Sequence, residues 1–546
     1  MNKTTRNYIF SITIILLISA SLAYSQTWSK TYGGRGWDFP LSGVASKDGG
    51  YVFAGWSYSF GDCDGCVWVM KIDKLGNIVW QKGIGGRYRN TAYTIAATPD
   101  NAYVVAGWSD SFVEIGIDAY IIKIDDNGKV LWQKRFYDRY LGYDIFEVHS
   151  IIATPDNKYV AAGFRYTPQY DIPAWLVMLD SNGNIIWQKS YSKGNGGSFD
   201  SIALTNDGGF IAFGEIFEYD GKNTGHWLVK LNKDGNIIWQ KVFINGGGYR
   251  KSIVPASDGG YIAAGSISGP DGFETDAWIV KLDKSGNIIW QKAFGTAAVE
   301  GLNGIIQTSD NGYLVTGYTT AILKKTANIW LMKLNESGNI IWQKIVADKN
   351  AADPNFILQS SDGGYLLSGN TDSFHLDNFD AWIFKLDSNG IIDASCGYIK
   401  DSTLLKSKDT HAEVIDIDVV PKNATSVAIS TDGKVYDANA DVKEICPPIQ
   451  IRCDPSTLPF LVRVSRCSIK SLNDFSGPLR LSCFGLPDGA NCNFSSSSID
   501  LGANEEKIFK VGIKIDRRLP AGVYPFSIVA TTGNSAQTFL MKLTIR

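Results

Sequence analysis

The chain has 546 residues, a formal net charge of −3 at neutral pH and 56 glycines. Its lysines and arginines are scattered, so no basic stripe is available for a nucleic-acid backbone, and we expect no nucleic-acid partner. Twelve per cent aromatic residues, many glycines and no helix-length amphipathic period predict an all-β protein rich in turns.

The N-terminal segment has the order of a secretory signal peptide. Lys3 and Arg6 precede an apolar run over residues 9–22, and residues 23–25 (Ala-Tyr-Ser) supply a cleavage site. We predict a signal peptide over residues 1–25 and a secreted, extracellular or cell-surface protein, with the periplasm as the alternative location. An uncleaved anchor is the other interpretation, but the run is shorter than the roughly 20 residues that a spanning helix needs. We expect no transmembrane segment after cleavage.

A repeat of about 52 residues follows the signal peptide. The string Gly-Asn-Ile-Ile-Trp-Gln-Lys and its variants recur, with tryptophans spaced 52, 55, 52, 51 and 52 residues apart at Trp80, Trp132, Trp187, Trp239, Trp290 and Trp342. A second marker, an aromatic residue that opens a strand, occurs at Tyr51, Tyr103, Tyr159, Phe210, Tyr261, Tyr313 and Tyr365. This period suits a four-stranded blade, so we predict a seven-bladed β-propeller over residues 26–398.

Alternation and turn residues divide each repeat into four strands, a to d. In the fifth repeat they predict strands at 252–257, 261–265, 277–282 and 287–292. The seventh repeat lacks a fourth strand, because an alanine stands where the tryptophan is expected. Trp28 lies 52 residues before Trp80. We therefore predict that an N-terminal strand completes the seventh blade, closes the propeller and removes two exposed sheet edges.

These motifs carry a resemblance. The strings Asp-Gly-Gly-Tyr-(Val/Ile)-x-Ala-Gly, Trp-(Ile/Leu)-x-Lys-Leu-Asp and Gly-Asn-Ile-Ile-Trp-Gln-Lys are similar to those of exported prokaryotic seven-bladed propeller proteins. They are more distantly similar to the tryptophan-docked blades of quinoprotein dehydrogenases and outer-membrane assembly propellers. The resemblance covers residues 27–398 and implies the fold, but propellers host many unrelated functions. No set of contacts for a quinone is recognisable, so we expect no cofactor.

Two further segments follow the repeats. Residues 399–446 alternate Asp, Thr, Val and Lys and predict a linker or a small β-excursion. Residues 447–546 contain five strand-like runs separated by Pro/Gly turns, which suits a small β-sandwich. The string Pro-Ala-Gly-Val-Tyr-Pro-Phe at 520–526 is similar to immunoglobulin-like modules that trail many exported proteins. Such modules imply a spacer or docking role.

Eight cysteines in an exported chain predict disulfides. Their connectivity does not follow from the sequence, because eight cysteines allow 105 pairings. Proximity favours four pairs: Cys63 with Cys66, Cys396 with Cys446, Cys453 with Cys467, and Cys483 with Cys492. A redox role for the first pair, which has Cys-x-x-Cys spacing, is the alternative.

The tryptophans separate a predicted core from a candidate site. Thirteen of the sixteen are periodic, and we predict that they pack between blades. Trp37, Trp56 and Trp108 fall near the d–a and b–c connections, which share one face and vary in length and chemistry, as binding loops do. We predict ligand binding on this face by Arg35, Trp37, Trp56, Tyr58, Arg87, Arg89, Trp108, Arg139, Tyr166, Tyr170, Tyr219 and Arg250. The alternative is an ordinary solvated loop surface.

Enzyme signatures are weak. The four histidines, including His149, are isolated, so we predict no metal site, and we expect His226 and His375 in surface b–c loops. Acidic pairs such as Glu215 with Glu218 would suit a glycosidase, but carboxylate separation cannot be read from loops. We assign no catalytic residue.

The leading hypothesis is a non-catalytic binding or scaffold protein that holds a glycan or a protein partner at the cell surface. Aromatic residues together with Arg, Asp and Glu suit either partner, through stacking and bidentate hydrogen bonds. The alternatives are an extracellular polysaccharide-active enzyme that uses the same face and a structural component of the cell envelope.

Overall fold

The computed structural model describes residues 27–545. Gaps in the description lie at 113–115, 138–143, 167–171, 218–224, 245, 269–274, 324–325, 347–351, 374–377, 393–398, 403–405, 410–413, 416–421, 424–426, 432–433, 438–440, 445–448, 459–463, 472–476, 488, 503–504, 516–519 and 533–534. The predicted signal peptide lies outside the described residues. The described part of the chain is all-β, and it contains no helix long and apolar enough to cross a membrane.

Six four-stranded antiparallel sheets follow one another along the chain, each built from consecutive strands a to d. Sheet 1 contains β2 (Asp38–Ala45), β3 (Tyr51–Ser57), β4 (Cys66–Ile72) and β5 (Ile78–Gly85). Sheet 2 contains β6 (Asn90–Ala97), β7 (Ala102–Ser109), β8 (Gly116–Asp125) and β9 (Val130–Tyr137). Sheet 3 contains β10 (Asp144–Ala153), β11 (Tyr159–Tyr166), β12 (Ala174–Leu179) and β13 (Ile185–Tyr191). A short parallel pairing of β8 with β10 joins sheets 2 and 3.

Sheets 4 to 6 repeat this order. Sheet 4 contains β14 (Gly196–Leu204), β15 (Phe210–Phe217), β16 (Gly225–Leu231) and β17 (Ile237–Ile244). Sheet 5 contains β18 (Gly246–Pro255), β19 (Tyr261–Ser268), β20 (Thr275–Leu282) and β21 (Ile288–Gly295). Sheet 6 contains β22 (Glu300–Gln307), β23 (Tyr313–Leu323), β24 (Thr326–Leu334) and β25 (Ile340–Val346). The strands of sheet 5 match the predicted ones and extend further on the side of the d–a and b–c connections.

The seventh sheet combines both ends of the repeat region. Its first three strands are β26 (Ala352–Gln359), β27 (Tyr365–Thr371) and β28 (Asp380–Leu386). The fourth strand is β1 (Trp28–Gly33), which pairs antiparallel with β28 so that Thr31 lies opposite Trp382. The predicted pairing of the N-terminal strand with the seventh repeat is confirmed.

The Trp-Gln-Lys motif joins each sheet to its neighbour. Trp80 Nε1 donates to Asp126 O in sheet 2 at 2.9 Å, while Gln81 accepts from Trp68 Nε1 within sheet 1. A Cβ added to the c–d turn glycine of the next sheet would lie 2.5–3.1 Å from the tryptophan ring. These contacts pair Trp28 with Gly76, Trp80 with Gly128, Trp132 with Gly183, Trp187 with Gly235, Trp239 with Gly286, Trp290 with Gly338, and Trp342 with Gly390. The periodic tryptophans therefore pack between sheets, and Trp28 joins sheet 7 to sheet 1.

Buried lysines of the third strands bind aspartates of the a–b turns. In sheet 5, Lys281 is 3% exposed and its Nζ lies 2.7 Å from Asp258. The same pair recurs in five other sheets: Lys71 with Asp48, Lys123 with Asp100, Lys230 with Asp207, Lys333 with Asp310, and Lys385 with Asp362. Sheet 3 has Met178 at this position, and Asp156 pairs with Lys158 of its own turn. These ion pairs hold the turns on the side away from the predicted ligand face.

Residues 399–444, which we call the belt, add a fifth strand to every sheet. The predicted linker or small β-excursion over 399–446 thus pairs with the outer edges of the repeats, because the fourth strands present unpaired backbone groups there. The belt strands are β29 (Ile399–Asp401) on sheet 6, β30 (Lys406–Asp409) on sheet 5, β31 (Val414–Ile415) on sheet 4, β32 (Lys422–Asn423) on sheet 3, β33 (Val427–Ser430) on sheet 2, β34 (Lys434–Asp437) on sheet 1 and β35 (Asp441–Glu444) on β1 of sheet 7.

The C-terminal segment forms two sheets around one hydrophobic cluster. One sheet has the order β36 (Ile449–Asp454), β38 (Val464–Ser471), β42 (Glu506–Ile515) and β40 (Ala490–Phe494). The other has the order β37 (Thr457–Leu458), β44 (Ser535–Ile545), β43 (Gly522–Thr532), β39 (Gly477–Phe484) and β41 (Ser498–Leu501). Ile469 and Phe509 of the first sheet and Leu479 and Met541 of the second belong to the shared cluster.

Three of the four predicted disulfides lie within the described residues, and all three are present. They are Cys63–Cys66, Cys453–Cys467 and Cys483–Cys492. The last of these joins the two C-terminal sheets, since its cysteines belong to β39 and β40. The predicted partners Cys396 and Cys446 lie outside the described residues.

Candidate ligand-binding site

Each of the seven sheets has a β-bulge in its first strand, and the bulged residues meet in one cavity. The register between first and second strands skips one residue at the same place in six sheets, and in sheet 5 it has a longer irregularity between Gly247 and Ser252. A bulge interrupts the regular alternation of side chains between the two faces of a sheet, so the bulged side chain takes a different direction. We call this space, about 460 Å³ in volume, the bulge cavity. Its lining includes one bulged residue from every sheet: Leu41, Tyr93, His149, Asp200, Lys251, Asn303 and Asn355.

The charged residues of the bulge cavity belong to sheets 3, 4 and 5 and bind each other. His149 Nδ1 lies 3.0 Å from Asp200 Oδ1, and its Nε2 lies 3.3 Å from Glu147 Oε2. Lys251 Nζ lies 2.8 Å from Asp200 Oδ2 and 2.8 Å from Glu215 Oε1. The Lys251 side chain is only 2% exposed, so its ammonium group is engaged by these two carboxylates.

This network changes the pKa values of its members in opposite directions. Burial alone would lower the pKa of His149, but hydrogen bonds to Asp200 and Glu147 outweigh burial and raise this pKa to about 9. Burial alone would raise the pKa of Asp200, but bonds from His149 and Lys251 lower it to about 2. Burial raises the pKa of Glu215 despite the nearby Lys251. At neutral pH, His149 is therefore an imidazolium and Asp200 a carboxylate.

The remaining sheets give the bulge cavity an uncharged wall. Asn303 Nδ2 donates to Pro354 O at 2.7 Å, and Asn355 Nδ2 donates to Asn370 Oδ1 at 2.9 Å. Among the described residues, Asn303 Oδ1 has no hydrogen-bond partner although it is buried. Three apolar side chains complete the lining on the hydrophobic side: Leu41, Phe164 and Phe356.

A second, smaller cavity lies between sheets 1 and 2, and we call it the aromatic cleft. It has a volume of about 210 Å³ and is lined by Trp56, Tyr58, Gly65, Arg89, Asn90, Thr91, Tyr93 and Trp108. The rings of Trp56 and Tyr58 meet edge-on with centroids 5.3 Å apart. The Arg89 guanidinium lies 5.8 Å from the centroid of the Trp108 ring. The cleft thus combines several aromatic side chains with an exposed cation.

Tyr93 lines both cavities. Its hydroxyl group accepts a hydrogen bond from Trp108 Nε1 at 3.0 Å on the side of the aromatic cleft. Its ring meets the imidazole of His149 edge-on, with centroids 5.3 Å apart, on the side of the bulge cavity. The two cavities are therefore neighbours that share one wall.

The structure brings together Trp56, Tyr58, Arg89 and Trp108 of the predicted ligand-binding residues. Trp37, which is 45% exposed, packs edge-on against Phe39 and lines neither cavity. Three other predicted residues also lie outside both linings: Arg35, Arg87 and Tyr166. Arg250 belongs to β18, and the predicted Arg139, Tyr170 and Tyr219 lie outside the described residues.

The expected surface position of His226 is wrong. This histidine lies in β16, is 1% exposed and stacks against Trp278, with Nε2 2.6 Å from Ser266 O. The extra strand length on the loop side places it inside the sheet. Burial lowers the pKa of His226 to about 3, so it is neutral. His375 lies outside the described residues.

Sequence reasoning missed the bulge cavity. Its bulged residues recur at intervals of 51 to 56, which is the signal that was available, but their side chains differ in size and charge. A search for repeated residue types does not find them. Within the described ranges, no group of three His, Cys, Asp or Glu side chains is placed to hold a metal ion.

No protein-family model matches the chain, and no curated protein matches it. Among solved structures, a puromycin hydrolase aligns at 11% identity over 80% of this chain and 59% of its own, with a TM-score of 0.40. An apocarotenoid oxygenase from Synechocystis aligns at 12% identity over 75% of this chain and 98% of its own, with a TM-score of 0.36. An endo-arabinase from Bacteroides thetaiotaomicron aligns at 10% identity over 43% and 90%, with a TM-score of 0.24. These similarities are too low to support an argument about function.

Proposed function

We propose that the seven sheets form a closed, seven-bladed β-propeller. Three independent contacts support closure: β1 completes the seventh sheet, Trp28 packs on Gly76 of the first sheet, and bulged residues of all seven sheets line one cavity. The order in which the belt visits the sheets, from 6 down to 1 and then to 7, also fits a ring.

On this scaffold, we propose a secreted or cell-surface binding protein whose ligand is a glycan. The observation that carries the proposal is the aromatic cleft, whose lining brings Trp56, Tyr58 and Trp108 together beside Arg89. Sugar rings stack on aromatic faces, and carbohydrate hydroxyl groups find acceptors in the adjoining bulge cavity. The two C-terminal sheets act as an immunoglobulin-like spacer or docking module, and the disulfides fit an oxidising compartment.

Titration calorimetry with neutral and acidic oligosaccharides tests this function. Trp108→Ala is expected to weaken glycan binding about 5- to 150-fold, since stacking of a ring on an aromatic side chain is worth about 1–3 kcal/mol. Trp37→Ala is the matched control, because this tryptophan is exposed on the same side but lines neither cavity. Equal affinities of the two variants, or no binding by any oligosaccharide, would contradict the proposal.

A second candidate, a polysaccharide-active enzyme, has one specific observation in its favour. Asp200 and Glu215 share the Lys251 ammonium group and have pKa values displaced in opposite directions. Pairs of this kind serve as nucleophile and general acid, and retaining glycosidases place them about 5–5.5 Å apart. Release of reducing ends from a bound polysaccharide, lost in Asp200→Asn, would favour this candidate over binding alone.

A further inference from the structure

The bulge cavity holds a feature that the aromatic cleft lacks, which is a wall of hydrogen-bond acceptors. We propose that it is a second subsite of the same glycan site, that it takes a neutral sugar unit whose hydroxyl groups donate hydrogen bonds, and that it excludes uronic acid and sulfated units. This inference rests on the proposed glycan-binding function and specifies which sugar chemistry the protein selects.

One acceptor of the cavity has no partner, and two carboxylates lie in the same lining. Asn303 Oδ1 is buried in the lining without a partner among the described residues, while the Nδ2 of the same amide is held by Pro354 O. Glu147 and Asp200 add carboxylates, each 12–17% exposed. A buried acceptor left unsatisfied costs free energy, so a ligand that donates to Asn303 removes an existing penalty.

The cationic groups of the cavity are already used. Both ring nitrogens of His149 lie against carboxylates, and Lys251 Nζ is bonded to Asp200 and Glu215. These two cations face three carboxylates within the cluster. An incoming carboxylate or sulfate would meet acceptors and net negative charge, and like charges repel strongly in a confined site. A neutral polyhydroxyl unit faces no such penalty.

Volume and continuity fit a chain that occupies both cavities. The bulge cavity, at about 460 Å³, lies in the size range of small-molecule sites, whereas the aromatic cleft, at about 210 Å³, is below it. Tyr93 forms a wall of both. We therefore expect a disaccharide to contact the aromatic cleft alone and a tetrasaccharide to reach the bulge cavity as well.

The test compares the affinities of neutral and uronate tetrasaccharides, and of the corresponding disaccharides, by calorimetry on the full chain. The panel contains gluco-, manno-, galacto- and xylo-tetraose beside mannuronate and galacturonate tetramers. The wild type is expected to bind a neutral tetrasaccharide at least tenfold more tightly than its disaccharide and than any uronate tetramer. Asn303→Leu is expected to remove about tenfold of tetrasaccharide affinity, the value of one good hydrogen bond, and to leave disaccharide affinity unchanged.

Glu147→Gln supplies a readout that a purely structural role would not move. Removing one negative charge without changing shape is expected to raise the affinity for uronate tetramers, because the repulsion decreases. The matched control for the Asn303→Leu variant is Asn182→Leu, because Asn182 is an exposed asparagine in the c–d turn of sheet 3. Melting temperatures of all variants identify any that fail to fold.

The outcomes separate this inference from the function on which it rests. Disaccharide binding that depends on Trp108, with no gain for tetrasaccharides or an unchanged Asn303→Leu variant, overturns the inference and leaves the glycan-binding function standing. Uronate tetramers that bind as tightly as neutral ones also overturn it. Absence of binding by every oligosaccharide overturns the proposed function together with the inference.

Discussion

Two regions of the molecule are built from the same repeats: the tryptophan junctions between neighbouring sheets, and the bulge cavity. The repeats have the same residue types at the junctions but different residue types in the cavity. Every junction places a tryptophan on a turn glycine of the next sheet. The seven bulged positions, which are equivalent positions of the first strands, carry six residue types that range from Leu41 to Lys251. Side chains at a junction must fit a fixed neighbour, whereas those in the cavity line a space of about 460 Å³ and are less constrained in size. Agreement among repeats thus marks packing, and disagreement marks the lining of the cavity for which we propose a ligand.

The two tight turns of each sheet make the same distinction on a smaller scale. The a–b turn has a residue at positive φ that is glycine in four sheets and asparagine in three, at Asn101, Asn157 and Asn311. The c–d turn has glycine at the corresponding position in all seven sheets. Backbone conformation permits asparagine at both, but only the c–d turn lies against a tryptophan ring.

The largest expected effect tests this difference. Gly390→Asn should destabilise the protein by about 2–3 kcal/mol, because its Cβ would lie 2.5 Å from Trp342, as in an overpacked core. Gly49→Asn is the matched control, since its φ is +85° and nothing lies within 4 Å of an added Cβ. Scanning calorimetry measures both. Equal losses in melting temperature would mean that contact with the Trp342 ring is not the reason why the c–d turn has glycine.

A smaller effect is expected at the buried ion pairs. Burial alone would raise the pKa of Asp258, but Lys281 outweighs burial and holds this pKa below its usual value. Lys281→Met should cost about 1 kcal/mol or less, because Asp258 is 43% exposed and water can replace its partner. Lys281→Ala should cost about 2 kcal/mol, since it also leaves a cavity. Met178 in sheet 3 is the natural precedent, and a larger loss for Met than for Ala would contradict this interpretation.

The bulge cavity, unlike the junctions, should make stability depend on pH. The folded pKa of His149 is raised to about 9, above the value of about 6.5 for an unfolded histidine. Its contribution is complete below pH 6.5 and disappears as the pH rises to about 9. His149→Gln should flatten the melting temperature over this interval relative to the wild type. If the melting temperature of His149→Gln changes with pH as steeply as that of the wild type, the pH dependence comes from other groups.

The smallest effect concerns the disulfide beside the aromatic cleft. Gly65, between Cys63 and Cys66, lines the cleft and accepts a hydrogen bond from Asn90 N at 2.8 Å. Replacing both cysteines by serine should weaken glycan affinity about two- to fivefold by loosening a preorganised wall, with little change in melting temperature. Double replacement of Cys453 and Cys467 is the control, because that pair lies in the C-terminal segment. Equal glycan affinities of the two double variants would contradict a role for this loop in the binding site.

The sequence predicted those parts of the fold that repeat. Trp28 indicated the pairing of β1, because its spacing to Trp80 matches the period, and tight turns followed from the recurring Asp-Gly-Gly strings. The belt could not be predicted as edge strands, since segments of two to four residues bind by backbone hydrogen bonds that leave no side-chain pattern. Four of the eight residues that line the aromatic cleft were among those predicted, because they are aromatic or cationic residues outside the period. The bulge cavity was missed because a register shift is invisible in single residues such as Asn303.

The belt has a consequence for the order of assembly. It follows the seventh repeat in the chain, and each of its strands needs an outer strand that is already in place. During synthesis it can therefore pair only after the repeats have emerged, and its last strand, β35, pairs with β1, the first strand to be made. A protein truncated before residue 399 has every repeat but none of these edge pairings. In such a protein the fourth strand of every sheet would keep an unpaired edge, so residues 399–444 are needed to cover the edges that the repeats leave open.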